Sequence, residues 1–412
     1  MLGASRYGRM AISVIETSDL NNGKERAASS LAAARRSICA ATLMGKTYRI
    51  GVISGDGIGP EVVREALRVL DLTAQIGGFG FDLVEYPWSS QHYIDTGELM
   101  PERILDEYRQ LDAVLLGALG DPRLEPGFIE RNIIMGLRFG LDLYINLRPV
   151  QCFADHLSPL KDKGAREIDF VVVRENTEDF YTGIGGFFKK GTPDEIALVE
   201  GVYTRKGCER ALRYGCDLAR TRQAGRADTA PAEGAQRAPK VTLVDKANAI
   251  RAHDLWQRAF AEVGADYPEV VRDHAYVDAA CMWMVKNPEW FDVIVTTNLF
   301  GDIITDLGAV LQGGLGIAAS GNIHPGRTSM FEPIHGSAPK YAGQDSACPL
   351  GAIMALAMLL DHVGEAGTAA LIERAVRGLL VSKRIPSAQA GVMRTSEMGT
   401  LVCQEIEQLH TS

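Results

Sequence analysis

No stretch of this chain approaches the roughly eighteen consecutive apolar residues that a bilayer-spanning helix needs. The richest segment, residues 350–360, is bounded or broken by Pro349, Gly351 and Asp361. A membrane protein is therefore excluded at this level and a soluble one expected. Positive charge is also short, because 43 Lys and Arg stand against 52 Asp and Glu, for a net charge of −9. Nucleic-acid backbones are held by clustered cations, so nucleic acid is not expected as a partner. Cysteine is sparse too. The seven residues, Cys39, Cys152, Cys208, Cys216, Cys281, Cys348 and Cys403, are odd in number and contain no C-x-x-C pair. They read as reduced thiols in a cytoplasmic compartment rather than a disulfide framework. No segment of 20–50 residues recurs, which removes solenoids and propellers.

What remains is ordinary globular material: 46% hydrophobic and 23% charged residues in 412 positions, enough for two domains. Residues 1–45 hold six Lys or Arg against three Asp or Glu and lack an apolar targeting core. They are expected to be a disordered extension, and Glu16, Asp19 and Glu25 weigh against an organelle-targeting role. At residue 48 the pattern becomes YRIGVISGDGIGPEVVREALRVL, an apolar strand, a glycine-rich turn and an amphipathic helix. Further buried strands are expected at 113–116, 170–173, 241–244 and 293–296, with helices between them, which makes the fold an open α/β one. The turn does not match the G-x-G-x-x-G dinucleotide fingerprint. Residues 219–240, ARTRQAGRADTAPAEGAQRAPK, show no periodicity and are expected to be a mobile surface loop.

Two groups of residues carry chemistry. In NLFGDIITDLGAVL, Asp302 and Asp306 lie four apart on an expected helix, so both carboxylates share one face. An isolated D-x-x-x-D is most often a pair of solvated acids. Here Ile303, Ile304, Leu307 and Val310 are apolar, which favours a hard-cation site for Mg²⁺ or Mn²⁺. The second group is basic: Arg138, Arg148 and Arg174, with Tyr181 seven residues beyond the last. Such arginines can be structural. Guanidinium forks nevertheless match carboxylates, and α/β folds place ligands at strand ends, so a small di- or triacid substrate is expected.

Six motifs then occur in one order: GDGIGPE (55–61), LDLYINLRPV (141–150), VVVRENTEDFYTG (171–183), LVDKANA (243–249), TTNLFGDIITDLG (296–308) and EPIHGSAPKYAG (332–343). In this the chain resembles the 3-isopropylmalate and isocitrate dehydrogenase family of β-decarboxylating dehydrogenases. The resemblance implies a two-domain fold, with 46–143 and 313–412 on the cofactor side and 144–312 carrying substrate, metal and dimer contacts. It implies that Arg138, Arg148 and Arg174 clamp substrate carboxylates and that Tyr181 protonates the enol left after CO₂ departs. Lys246 and the metal ligand Asp278 would be lent by the second subunit of a homodimer, while Asp302 and Asp306 would serve in cis. Asn248 would lie near the nicotinamide, and His335, Gly336, Ala338, Lys340 and Tyr341 would line the adenosine end.

The chain also departs from its relatives. Lys340 stands where many NAD-using members carry an aspartate, and a cation favours a 2′-phosphate, so of NAD and NADP the reading leans to NADP. Cys348, where an adenine-contacting asparagine is usual, pulls against that. Isocitrate enzymes place a serine and an asparagine where this chain has Asn132 and Ile134. A charged group facing Ile134 would be costly to desolvate, so a substrate with an apolar γ-group, 3-isopropylmalate, is expected. The ENTEDFY segment points instead toward isocitrate, homoisocitrate and tartrate relatives. A non-catalytic regulatory subunit is the third reading, and the filled catalytic positions weigh against it.

Overall fold

The computed structural model describes residues 45–227 and 238–411. The expected N-terminal extension through residue 44, with Cys39, lies outside them. The chain opens with β1 (Thr47–Gly55), α1 (Gly59–Gly77), β2 (Gly80–Glu85) and β3 (Ala113–Ala118). Next come β4 (Ile145–Gln151), β5 (Asp169–Glu175), β6 (Gly185–Phe188), β7 (Ile196–Val199) and α2 (Arg205–Ala227). Then follow β8 (Lys240–Asp245), α3 (Asp254–Val263), β9 (Val271–Tyr276), α4 (Val277–Lys286), β10 (Val293–Thr296) and α5 (Asn298–Leu311). The last elements are β11 (Ala319–Ile323), β12 (Ser329–Pro333), α6 (Leu350–His362), α7 (Ala366–Val381) and α8 (Thr395–Thr411).

Ten strands form one sheet in the order β2-β1-β3-β12-β11-β4-β5-β10-β8-β9. Two parallel blocks, β2-β1-β3-β12 and β5-β10-β8-β9, flank β11 and β4, each antiparallel to both of its neighbours. Strands inside a parallel block are covered on both faces, which is why AVLLGA and VIVT read as unbroken apolar runs. The central strands are different. ASGNI and INLRPVQ are polar yet mostly buried, because their asparagines are hydrogen-bonded to buried partners: Asn146 Nδ2 and Asn176 Nδ2 donate to Asn322 Oδ1 at 2.9 and 3.0 Å, and Asn322 Nδ2 donates to Glu332 Oε1. Their polar composition is what hides them from a search for hydrophobic strands.

One expectation is corrected. Residues 219–240 are not one loop: α2 continues to Ala227 and β8 starts at Lys240, leaving only 228–237 outside the described residues. The stretch ARTRQAGRA is built mainly of helix formers, and no proline interrupts it before Pro231. Arg222 anchors this end of α2 through Asp292 Oδ1 at 3.0 Å and Asp169 Oδ1 at 2.9 Å. No described helix is long and apolar enough to cross a membrane. All six described cysteines are unpaired, as expected.

The glycine-rich turn after β1 is a structural brace. Asp56, 6% exposed, accepts hydrogen bonds from Ser90 Oγ at 2.7 Å, Ser90 N at 2.9 Å and Gly120 N at 3.0 Å. Gly57 has φ +56, and a Cβ there would lie 2.0 Å from Ser337 O, so only glycine lets this turn meet the 335–343 loop. Asp56→Ala leaves these donors without an acceptor and should cost about 2–4 kcal/mol in urea unfolding. A loss under about 1 kcal/mol would remove the brace from the account.

Candidate active site

β4 and β5 are antiparallel with Asn146 opposite Arg174, which makes Arg148 a diagonal neighbour of Arg174 on the same face of the sheet. α5 follows β10 and lays its first turns across that face. Arg174 Nε donates to Asn298 Oδ1 at 2.9 Å, and its Nη1 donates to Asp302 Oδ1. Arg148 donates to Asn146 Oδ1 and Thr305 Oγ1, both at 2.6 Å, and to Asp302 Oδ1 at 3.2 Å. Asp306 Oδ1 lies 3.9 Å from the same guanidinium. Arg138, on the short helix Gly136–Gly140, pairs with Glu332 Oε1 at 3.3 Å, while its buried Nε has no hydrogen-bond partner among the described residues. Tyr181 completes the group: its hydroxyl donates to Asp302 Oδ2 at 2.9 Å and its ring lies 5.2 Å from the Arg174 guanidinium.

Electrostatics follow from that crowding. Burial, then neighbouring Arg174, pulls Arg148 down to about 10, so it stays charged at neutral pH. Burial pushes the Asp302 carboxyl up, but Arg174 and Arg148 outweigh it and hold it below the ordinary range. Asp306 shifts upward, by burial foremost and by the Asp302 charge as well. Burial also raises the Tyr181 phenol, so it carries its proton throughout the neutral range. A raised phenol cannot set an alkaline limb of activity near neutrality.

Arg138, Arg148, Arg174, Tyr181, Asp302 and Asp306 are thus brought together by the fold. Lys246 and Asp278 are not part of this group. They pair with each other, Nζ to Oδ1 at 2.7 Å, and this pairing lowers the Asp278 carboxyl. Among the described residues no three His, Cys, Asp or Glu side chains gather in a way that could hold a metal. Asn248 is exposed beside Lys246. Ile134 is half-buried against Ile133 and Leu137, one helical turn before Arg138.

On the other side of the site, His335 keeps Nδ1 3.1 Å from Gly336 O, its Nε2 is buried without a partner, and burial lowers its pKa. Gly336 and Lys340 are exposed, Ala338 adopts φ +41, and Lys340 Nζ rests 4.7 Å from the centre of the Tyr341 ring. Sequence reasoning missed Glu332, Asn146, Asn298 and Thr305. Spacing offers a signal for two of them: Asn146 is two residues before Arg148 on one strand, and Thr305 is three after Asp302 on one helix.

The sequence profile described as Isocitrate/isopropylmalate dehydrogenase matches residues 49–402. The chain belongs to the isocitrate/isopropylmalate dehydrogenase family. It is 45% identical over 370 residues to a 3-isopropylmalate dehydrogenase of Thermobifida fusca, covering 89% of this chain and 99% of that one. Among solved structures it is similar to an isocitrate dehydrogenase from Methylococcus capsulatus, with TM-score 0.73, 36% identity, and 88% of this chain and 100% of that one covered. A β-decarboxylating dehydrogenase from Thermococcus kodakarensis superposes with TM-score 0.68 at 35% identity, over 88% and 97% of the two chains. This protein is accordingly an oxidoreductase, a nicotinamide-dependent decarboxylating dehydrogenase.

The residues present fit what that family's chemistry needs. Asp302 and Asp306 offer oxygen donors of the kind a hard divalent cation takes, and in the 335–343 loop the buried Nε2 of His335 has no hydrogen-bond partner among the described residues. Asp302→Asn removes the charge that compensates Arg148 and Arg174. Because Asp302 is itself 41% exposed, the loss in urea unfolding should be about 1–3 kcal/mol rather than the full cost of breaking a buried pair. Unchanged stability would show that solvent compensates these guanidiniums without Asp302.

Proposed function

We propose that this enzyme oxidises and decarboxylates 3-isopropylmalate to 4-methyl-2-oxopentanoate, using Mg²⁺ or Mn²⁺ and NAD or NADP, as a homodimer with shared active sites. The observation that carries the substrate is the wall one turn ahead of the clamp. Ile134 and Met135 are apolar, and Asn132, the remaining polar residue there, commits its Nδ2 to Phe128 O at 2.7 Å. A third carboxylate would meet Ile134 with nothing to pair it. The identity to 3-isopropylmalate dehydrogenases supports the same substrate. The similarity to a solved isocitrate dehydrogenase keeps isocitrate as the second reading.

Arg138, Arg148 and Arg174 would grip the carboxylates, two of them exchanging Asp302 for the substrate. Asp302 and Asp306, with Asp278 of a second subunit, would hold the metal. When bound, the cation would supply Lewis acidity at the substrate's hydroxyl and carbonyl oxygens, and the nicotinamide would supply the hydride acceptor. Lys246 would accept the hydroxyl proton in the partner's site, and Tyr181 would protonate the enol carbon once CO₂ has left. The 335–343 loop would take the adenosine end, and exposed Lys340 favours the 2′-phosphate of NADP. The two-domain division at residues 143 and 312 is kept as part of this reading.

The dimer is supported by exposed apolar side chains. Met282 and Val285 of α4 are 64% and 44% exposed, and Ile303 and Val310 of α5 are 55% and 53% exposed. The β6–β7 hairpin adds Phe187, Phe188 and Leu198, each more than half exposed. Exposed apolar side chains on packed elements of this kind mark association sites.

Assayed with Mg²⁺ and each cofactor, the enzyme should turn over 3-isopropylmalate with kcat/KM at least about a hundredfold above isocitrate, and Ile134→Asn should narrow that ratio by about tenfold or more. A preference for isocitrate in the unaltered protein would replace the proposal by the second reading. Shared sites predict a second result. Inactive Lys246→Ala and Asp302→Ala chains, mixed under conditions of proven subunit exchange, should regain activity through hybrid dimers with one intact site. Absence of rescue would rule out sharing.

A further inference from the structure

His253 is fully buried, and its place in the chain is unusual for a buried histidine, because it sits seven residues after Lys246 at the end of the loop that carries that lysine. The backbone N–H of Lys246 donates to His253 Nδ1 at 3.1 Å. A backbone amide can only donate, so Nδ1 must be the unprotonated nitrogen and the proton must sit on Nε2. The loop closes on itself through Ile250 N to Lys246 O at 2.7 Å and His253 N to Ile250 O at 2.9 Å. The imidazole therefore acts as the floor of the Lys246 turn.

The ring is held by two aromatic edges. Tyr203 lies 4.7 Å away at 78° and Phe300 of α5 lies 5.5 Å away at 71°. The Tyr203 hydroxyl donates to Asp179 Oδ1 at 2.6 Å, and the other Asp179 oxygen accepts from Leu299 N at 2.9 Å, in the first turn of α5. Asp179 is 1% exposed and adopts φ 67, ψ −148, a region that non-glycine residues avoid unless their surroundings impose it. Its neighbours tie the same knot: Asn298 Nδ2 donates to Glu178 O at 3.1 Å, and Asn298 Oδ1 accepts from Arg174 Nε at 2.9 Å. Two residues after Asp179 comes Tyr181, and three residues after Leu299 comes Asp302.

We infer that Asp179, Tyr203 and His253 form a positioning relay that fixes the Lys246 loop relative to the Tyr181 loop and the Asp302 helix. The inference rests on the roles given above to Lys246, Tyr181 and Asp302. None of the three relay residues is among the groups placed against substrate or metal. Each chain would thereby hold the Lys246 it lends to the partner's site in fixed register with the Tyr181 and Asp302 it keeps for its own, and in sites shared in this way small misplacements weaken turnover more than binding.

The test uses the full-length enzyme with saturating 3-isopropylmalate, Mg²⁺ and cofactor. His253→Phe keeps the aromatic volume and removes the acceptor. It should lower kcat about tenfold or more while each KM stays within about twofold. His253→Asn, whose carbonyl oxygen can accept from Lys246 N, should recover much of that loss. Tyr203→Phe keeps the ring against His253 and removes only the bond to Asp179. It should lower kcat about threefold, with the thermal midpoint within a few degrees of wild type, and it remains informative if His253→Phe does not fold. Wild-type kcat in a folded His253→Phe or in Tyr203→Phe, or His253→Asn no better than His253→Phe, overturns the relay. Lys246→Ala separates the two levels. If it retains full kcat, the reading of Lys246 fails and the relay with it. If it is inactive while the His253 and Tyr203 variants are normal, only the relay fails.

Discussion

The placement of three guanidinium groups near the middle of a buried sheet is the constraint on which the rest of this structure depends. Arg174 is 1% exposed and Arg148 is 6% exposed, and charges so placed are tolerated only where opposite charge and hydrogen-bond acceptors surround them. Asp302 supplies charge to two of them and Glu332 to the third. The topology makes this arrangement available. Reversal of direction at β11, β4 and β5 lets Arg148 and Arg174 point from adjacent strands to one face, and α5 then brings Asp302 across it. The polar residues of the central strands exist for the same reason: Asn322 donates to Glu332 Oε1 at 2.7 Å, and Asn146 links it to Arg148. A carboxylate-bearing substrate competes for forks already aligned, so little reorganisation accompanies binding.

How much of this could be read from the residues depends on which physical signal each element carries. The parallel strands are apolar on both faces and the expected runs at 113–116, 170–173, 241–244 and 293–296 all fall within observed strands. The central strands carry buried asparagine and arginine, which look like loop composition until their partners, over 150 residues away for Asn146 and Asn322, are known. The end of α2 was hidden for the opposite reason, since Ala, Arg and Gln without periodicity still propagate a helix when one anchored arginine holds it. Within the site, Asp302 and Asp306 follow from helical spacing alone. Glu332 opens the motif at 332–343, yet its role does not follow from spacing, because its partner Arg138 is 194 residues away.

The relatives differ in named substrate, and the structure suggests where such a difference is written. In the proposed reading, the clamp, Asp302 and Tyr181 would read what the 2-hydroxy acids of this reaction class share. The variable part would face the segment Arg131–Met135, a single wide turn within the helix leading to Arg138. Turns of that kind re-aim side chains without breaking the helix and recur at functional positions. Changing a few residues there alters what the third substituent meets while the charged centre remains undisturbed. Specificity and catalysis can therefore change independently.

The exposed apolar faces and the separated carboxylates proposed as metal ligands would have a common explanation. On α4, Asp278, Met282 and Val285 fall at i, i+4 and i+7, so one stripe carries an acid followed by two exposed apolar residues. On α5, Ile303, Asp306 and Val310 fall at i, i+3 and i+7 and form the same kind of stripe. A surface that buried only the apolar residues would desolvate these carboxylates and cost free energy unless a cation or cationic side chain met them. One that presented only the acids would have little area to hold a partner. Combining them on the same helix faces would make the proposed association and completion of the metal site a single event, in which apolar burial provides the attraction and the acids define the register. The pairing of Lys246 with Asp278 within one chain fits that logic, since it keeps both charges compensated on a surface that is otherwise apolar.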